Sequence, residues 1–183
     1  MKAILVAIFL TLVLVASGFA GDFRNAEWGM TREQVKAEEK AKPLKSRGES
    51  LLKYTTEIMG LEVHIHYYFE RGRLKHGSYD FISVPDSGCS EVFDELVNKI
   101  GRKYGEAKEK NTWKDNAPKT PEPSSIAVAL GFLKRTAEWE TERTMIRLEL
   151  GSEGYDDPIS LVVYYMSKED EKEKEMDWIE ETF

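Results

Sequence analysis

Apolar and polar residues alternate through residues 61–70, where Leu61, Val63, Ile65, Tyr67 and Phe69 interleave with Glu62, His64, His66, Tyr68 and Glu70. A period of two is that of a strand with one buried face. Arg71-Gly72 fits a two-residue hairpin turn and predicts Phe69 opposite Leu74 and Tyr67 opposite His76. Met59-Gly60 predicts a second turn, which sets Ile58, Thr56, Tyr54 and Leu52 opposite Leu61, Val63, Ile65 and Tyr67. Both turns put the same apolar set on one face, and a slip of one residue would expose all of it. The stretch therefore reads as a three-stranded meander. Tyr79 and Phe81 then fall on the polar face, so a bulge at Gly77 is expected to return them to the core.

Helical periods flank the meander. Thr31 and Gln34 have the spacing of a capping box, bracketed by Met30 and Val35 as a hydrophobic staple, which predicts a helix over 31–40 ending before Pro43. Residues 42–50 read as a polar connection. Ser90 is expected to cap a second helix over 91–104, whose Val92, Phe93, Leu96, Val97 and Ile100 form a 3.6-residue stripe. Residues 106–123, with Trp113 and three prolines, read as a long irregular segment. A short helix over 124–133 is weakened by Gly131. Strands follow at 135–141 and 144–150, with a turn at Glu142-Arg143 that sets Trp139 against Ile146 and Ala137 against Leu148. Residues 159–166 are apolar on both faces, the pattern of a central strand or of one covered on both sides. The charged tail, residues 168–183, carries Met176, Ile179 and Phe183 as the thin stripe of a last helix. The fold class is α+β: antiparallel meander sheets with helices on one face, an order that leaves open two αβββ units at 23–84 and 88–166.

Residues 1–20 change the picture of where the chain works. A basic start at Lys2, an apolar run over 3–15 and small residues at Gly18 and Ala20 predict a signal peptide cleaved after Ala20, with Gly18 as the alternative position. The expected mature protein is a single domain over 21–183, exported to the periplasm or the medium. No cysteine comes just after the run, so no lipid anchor and no stable membrane attachment are expected. Cleavage removes Lys2 and makes the chain one unit more acidic than its formal −7. That balance argues against nucleic acid and anionic membranes as partners. Cys89 is the only cysteine, so packing rather than an internal disulfide must hold the fold.

The residues offer little catalytic chemistry. The sequence contains no Gly-x-Ser-x-Gly elbow, phosphate-cradling glycine loop or His-Glu-x-x-His motif. His64 or His66 with Asp80 is the only Ser-His-Asp-type set with local geometry behind it, and Asp80 is expected on the opposite face. Asp156-Asp157 beside Pro158 read as turn-formers. His64 and His66 share a strand face, a way to present two imidazoles to a metal, but His76 is expected to point the other way. No cofactor is implied, and a non-catalytic protein is expected.

Phe23-x4-Trp28-Gly29-Met30-Thr31-x3-Val35, Leu96-x7-Tyr104-Gly105 and the downstream Trp139 resemble a pattern of small exported bacterial proteins. The wider resemblance is to the α+β superfamily of β-lactamase-inhibitor-like proteins, which includes the small lipoprotein of the outer-membrane β-barrel assembly machinery. This chain departs from that lipoprotein in lacking the lipid-bearing cysteine. The resemblance implies a non-enzymatic module that binds another protein through an exposed sheet face or loops. The expected contact surface is Tyr68, His64, His66 and the segment around Trp113, with a protein partner. The rival expectation is a metal or small-ligand binder built on His64 and His66.

Overall fold

The computed structural model describes residues 21–46, 48–115, 117, 123–154 and 157–169. The expected signal peptide, the Met176, Ile179 and Phe183 stripe and Asp156 lie outside the described residues. The elements are α1 (Arg32–Glu38), β1 (Lys42–Leu44), β2 (Leu51–Ile58), β3 (Leu61–Glu70), β4 (Arg73–Phe81), α2 (Cys89–Tyr104), β5 (Lys108–Trp113), α3 (Ser125–Ala129), β6 (Leu133–Glu140), β7 (Thr144–Gly151) and β8 (Ser160–Ser167). The strands form one antiparallel eight-stranded sheet in the order β1-β2-β3-β4-β8-β7-β6-β5. Each half of the chain lays down four strands, and the halves meet where β4 pairs with β8. The central place expected for residues 159–166 is the place β8 takes.

Two strands arise where connections were expected. β1 lies in the polar stretch after the first helix, and β5 replaces the start of the irregular segment and ends on Trp113. Neither carries an apolar period, because both are edge strands that β2 and β6 hold through the backbone.

The predicted β2–β3 register is the observed one, from Ile58 opposite Leu61 to Leu52 opposite Tyr67. Both turns take positive φ at each central residue, Met59-Gly60 and Arg71-Gly72, the conformation that matches the twist of a two-residue hairpin. Trp139 faces Ile146 and Ala137 faces Leu148, also as expected.

The bulge is not where the sequence placed it. Phe69 faces Leu74, but Tyr68 faces His76 and Tyr67 faces Gly77, so Lys75 is the extra residue. Gly77 instead makes room for an aromatic ring, since a Cβ there would collide with Phe23. The N-terminal segment thus packs directly on the sheet backbone. Phe23 meets Tyr67, Tyr79 and Tyr165 at centroid distances of 5.1, 5.1 and 5.0 Å.

The helices lie on that same face. The capping box of α1 forms as expected, with the Thr31 N–H donating to Gln34 Oε1 at 2.8 Å and the Gln34 N–H to Thr31 Oγ at 3.4 Å. α2 starts earlier than expected, at Cys89, with Gly88 rather than Ser90 at its N-cap. Ser125 of α3 takes over part of the capping: its Oγ accepts from the Ser90 N–H at 3.0 Å. α2 and α3 pack on β6 and β7. Arg135 of β6 is buried beneath α2, 4.3 Å from the Phe93 ring centroid and 2.7 Å from Asp94 Oδ1.

A polar cluster sits inside this layer. Arg24 grips Glu39 with two hydrogen bonds, at 2.7 and 3.1 Å, and the Tyr67 hydroxyl and the Ala41 N–H also donate to its carboxylate. The Glu39 side chain is only 2% exposed. Burial pushes its carboxyl up, but the hydrogen bonds from Tyr67, Ala41 and Arg24 outweigh this and hold it below its ordinary range.

Candidate functional site: the open sheet face

With the apolar residues of each strand turned toward the helices, the alternate residues make a second face that no described helix covers. Pairing aligns them in rows. One row runs Thr55, His64, Asp80, Val162, Glu149, Thr136; the next runs Lys53, His66, Ser78, Tyr164, Arg147, Glu138. A third runs Leu51, Tyr68, His76, Met166, Met145, Glu140. The bulge at Lys75 corrects two expectations. His76 stands on the same face as His64 and His66, beside Tyr68, and Asp80 stands opposite His64. Once the extra residue returns Tyr79 and Phe81 to the core, residues 76, 78 and 80 must follow onto the open face.

At the middle of this face His66 is 7% exposed and Ser78 is 1% exposed. The Asp80 carboxylate joins them: Oδ2 lies 3.1 Å from His66 Nδ1, and Oδ1 accepts from the Ser78 hydroxyl at 2.6 Å. The Tyr68 hydroxyl is 3.3 Å from the same imidazole nitrogen. Burial pushes the Asp80 carboxyl up, yet the bonds from His66 and Ser78 and the nearby imidazoles win and hold it below its ordinary range.

The trio holds the residue types of a nucleophilic triad in a different arrangement. A triad needs the carboxylate on one imidazole nitrogen and the hydroxyl on the other. Here Ser78 and Asp80 both approach Nδ1, while Nε2 is buried without a hydrogen-bond partner among the described residues. What the cluster does is fix His66 and Tyr68 in place. His64 and His66 do not converge either: His64 Nε2 lies 3.4 Å from Glu62, whereas His66 turns its Nδ1 to Asp80. Among the described residues no group of three His, Cys, Asp or Glu side chains could hold a metal ion.

Along one flank of this cluster, the row from Leu51 to Met145, the face is largely apolar and accessible, while Lys53, Arg147 and Glu138 share the row of His66. Tyr68 and Tyr164 are each 38% exposed, and Leu51, Met166 and Met145 are half-buried beside them. Tyr164 and Met166 were missed in the sequence because residues 159–166 look apolar throughout, and Met145 because it is an apolar residue at a polar position of β7. The parity of Tyr164 against the buried Val163 and Tyr165 was the available signal.

Trp113 is not part of this surface. It ends β5, half-buried, at a cavity of about 590 Å³ shared with Phe132, Gly151 and Pro158. Five inter-strand steps separate β3 from β5 in the sheet. At about 4.8 Å each, that is roughly 24 Å from His64 and His66.

Comparison with protein-family models, curated proteins and solved structures finds no match. No described helix is long and apolar enough to cross a membrane.

Proposed function

We propose that this chain is an exported, non-catalytic protein-binding module of the bacterial cell envelope that takes its partner on the open sheet face. The observation that carries the reading is the pair of exposed tyrosines, Tyr68 and Tyr164, on adjoining rows of a rigid sheet. Tyrosine and methionine are side chains that interfaces favour, and a sheet presents them at low entropic cost. The hydrogen-bonded His66–Asp80–Ser78 cluster beside them supplies the fixed support that such anchors need. Export rests on the pattern of residues 1–20, and the bacterial envelope on the resemblance carried by Trp28, Gly29, Met30 and Thr31.

The test is site-specific photocrosslinking in the native envelope. A photoreactive phenylalanine at position 68 or 164 is expected to trap one discrete protein, and the same group at the exposed Ile126 of α3 is not. Unlabelled wild-type protein should compete the adduct away, and a Tyr68→Ala/Tyr164→Ala variant should fail to compete. The same adducts from position 126, or none from 68 and 164, would overturn the assignment.

A further inference from the structure

The two edges of the sheet differ. β1 is three residues long with Pro43 at its centre, so it is short and lacks a donor, features that blunt an edge. β5 offers six residues, all but the last exposed, and no described strand pairs with its outer side. Its inward groups can be assigned. The Lys114 N–H donates to the Phe132 carbonyl at 2.9 Å, and Thr112 and Lys110 follow in the same phase opposite Lys134 and Thr136. Antiparallel pairing alternates. The N–H and C=O groups of Glu109, Asn111 and Trp113 therefore point away from the sheet.

Charge and shape follow the same strand. Lys108, Lys110 and Thr112 stand on the open face, and the row through Thr112 continues into Lys134, Gly151 and Ser160. Thr112, Lys134, Gly151 and Ser160 belong to the lining of the 590 Å³ cavity at this end of the strand, which Trp113, Phe132 and Pro158 also border. Its size is that of a site for a large side chain or small ligand. Lysine on an edge repels strands that carry no matching charge, and by the same interaction it selects one with carboxylates opposite.

We propose that β5 takes an added antiparallel strand from a protein partner, with acidic side chains against Lys110 and Lys108 and a large apolar side chain in the Trp113 cavity. The partner's face then reads apolar-x-acidic-x-acidic. Main-chain bonds to Glu109, Asn111 and Trp113 give affinity, and the cavity gives specificity. This edge is separate from the Tyr68–Tyr164 surface, so either site can fail without the other.

The probe is a capped peptide, Thr-Phe-Thr-Glu-Thr-Glu-Thr, titrated into the mature protein and followed by amide exchange. Slowed exchange at Glu109, Asn111 and Trp113, with Lys110 and Thr112 unchanged, is the expected signature. Asn111→Pro removes an outward donor that the sheet does not use, and should weaken binding roughly tenfold with an unchanged melting temperature. A Cβ on Gly151 meets only the Lys134 side chain, at 3.6 Å, so Gly151→Leu can fill the cavity. It should abolish the preference for phenylalanine over alanine in the probe. The proposal falls if a Lys-for-Glu peptide binds as tightly, if protection does not alternate, or if the probe does not bind at millimolar concentration.

Discussion

The ring of Phe23 occupies the volume that a side chain on residue 77 would need, so that an ideal Cβ there would fall on the ring carbons. Neither can yield, because Tyr67, Tyr79 and Tyr165 surround the ring. Gly77→Ala should cost roughly 1–3 kcal/mol through overpacking, measured by urea unfolding. In a Phe23→Ala background the same substitution should cost much less. Equal costs in both backgrounds would mean the two positions are not coupled.

Glu39 makes stability depend on acid. Its carboxyl titrates below the ordinary 4.5 in the folded protein, so its contribution is complete above that pH and is lost as pH falls through the folded value. In that window the unfolded chain binds more protons, so stability rises with pH. Glu39→Gln should lower stability near pH 7 by about 2 kcal/mol, the scale of hydrogen bonds to a charged group. It should also flatten the slope of unfolding free energy below the ordinary 4.5. An unaltered slope would reassign the acid response to Asp80 and other carboxylates.

Cys89 is fully buried at the first turn of α2, where its thiol lies 3.8 Å from the Ser125 carbonyl. Burial pushes the thiol above its ordinary value, which outweighs the hydrogen bonds around it. A maleimide at neutral pH should label native protein far more slowly than urea-unfolded protein. Ser125→Ala, which removes the acceptor for the Ser90 N–H, should cost about 1 kcal/mol and speed the labelling.

The exposed tyrosines carry little of the fold. Tyr68→Ala and Tyr164→Ala should each change stability by no more than about 1 kcal/mol, whereas Tyr67→Ala, one residue away on the buried face, should cost roughly 3 kcal/mol or more. Thermal melts of the three variants separate side chains that the packing needs from side chains that it does not.

The parts legible in the sequence were those where one face is buried. β2, β3, β6 and β7 carry period-two patterns between turn residues, and their registers followed residue by residue. β1 and β5 are mostly exposed edge strands, and apart from Trp113 their side chains add little to the core, so Lys42–Leu44 and Lys108–Trp113 had no alternating pattern to read. The bulge was legible in kind and not in place. One extra residue anywhere between Leu74 and Tyr79 returns Tyr79 to the core, and glycine was the natural choice. Its true position at Lys75 decides which face receives His76. His64, His66 and Tyr68 were placed on the right face because the β2–β3 turn fixes them, while Asp80, Ser78 and Tyr164 emerged only from the pairing of β4 with β3 and β8.

The seat of Phe23 is completed by Tyr165, and the Trp28 indole N–H donates to Thr144 Oγ across a sequence separation of 116 residues. A ribosome must therefore release nearly all of this sequence before its beginning can settle. Such late closure slows folding, since distant contacts are won only after a long loop is drawn together. Under the export proposed above, that delay would be protective: the beginning of the chain would stay open during transit and lock only once β8 had arrived on the far side.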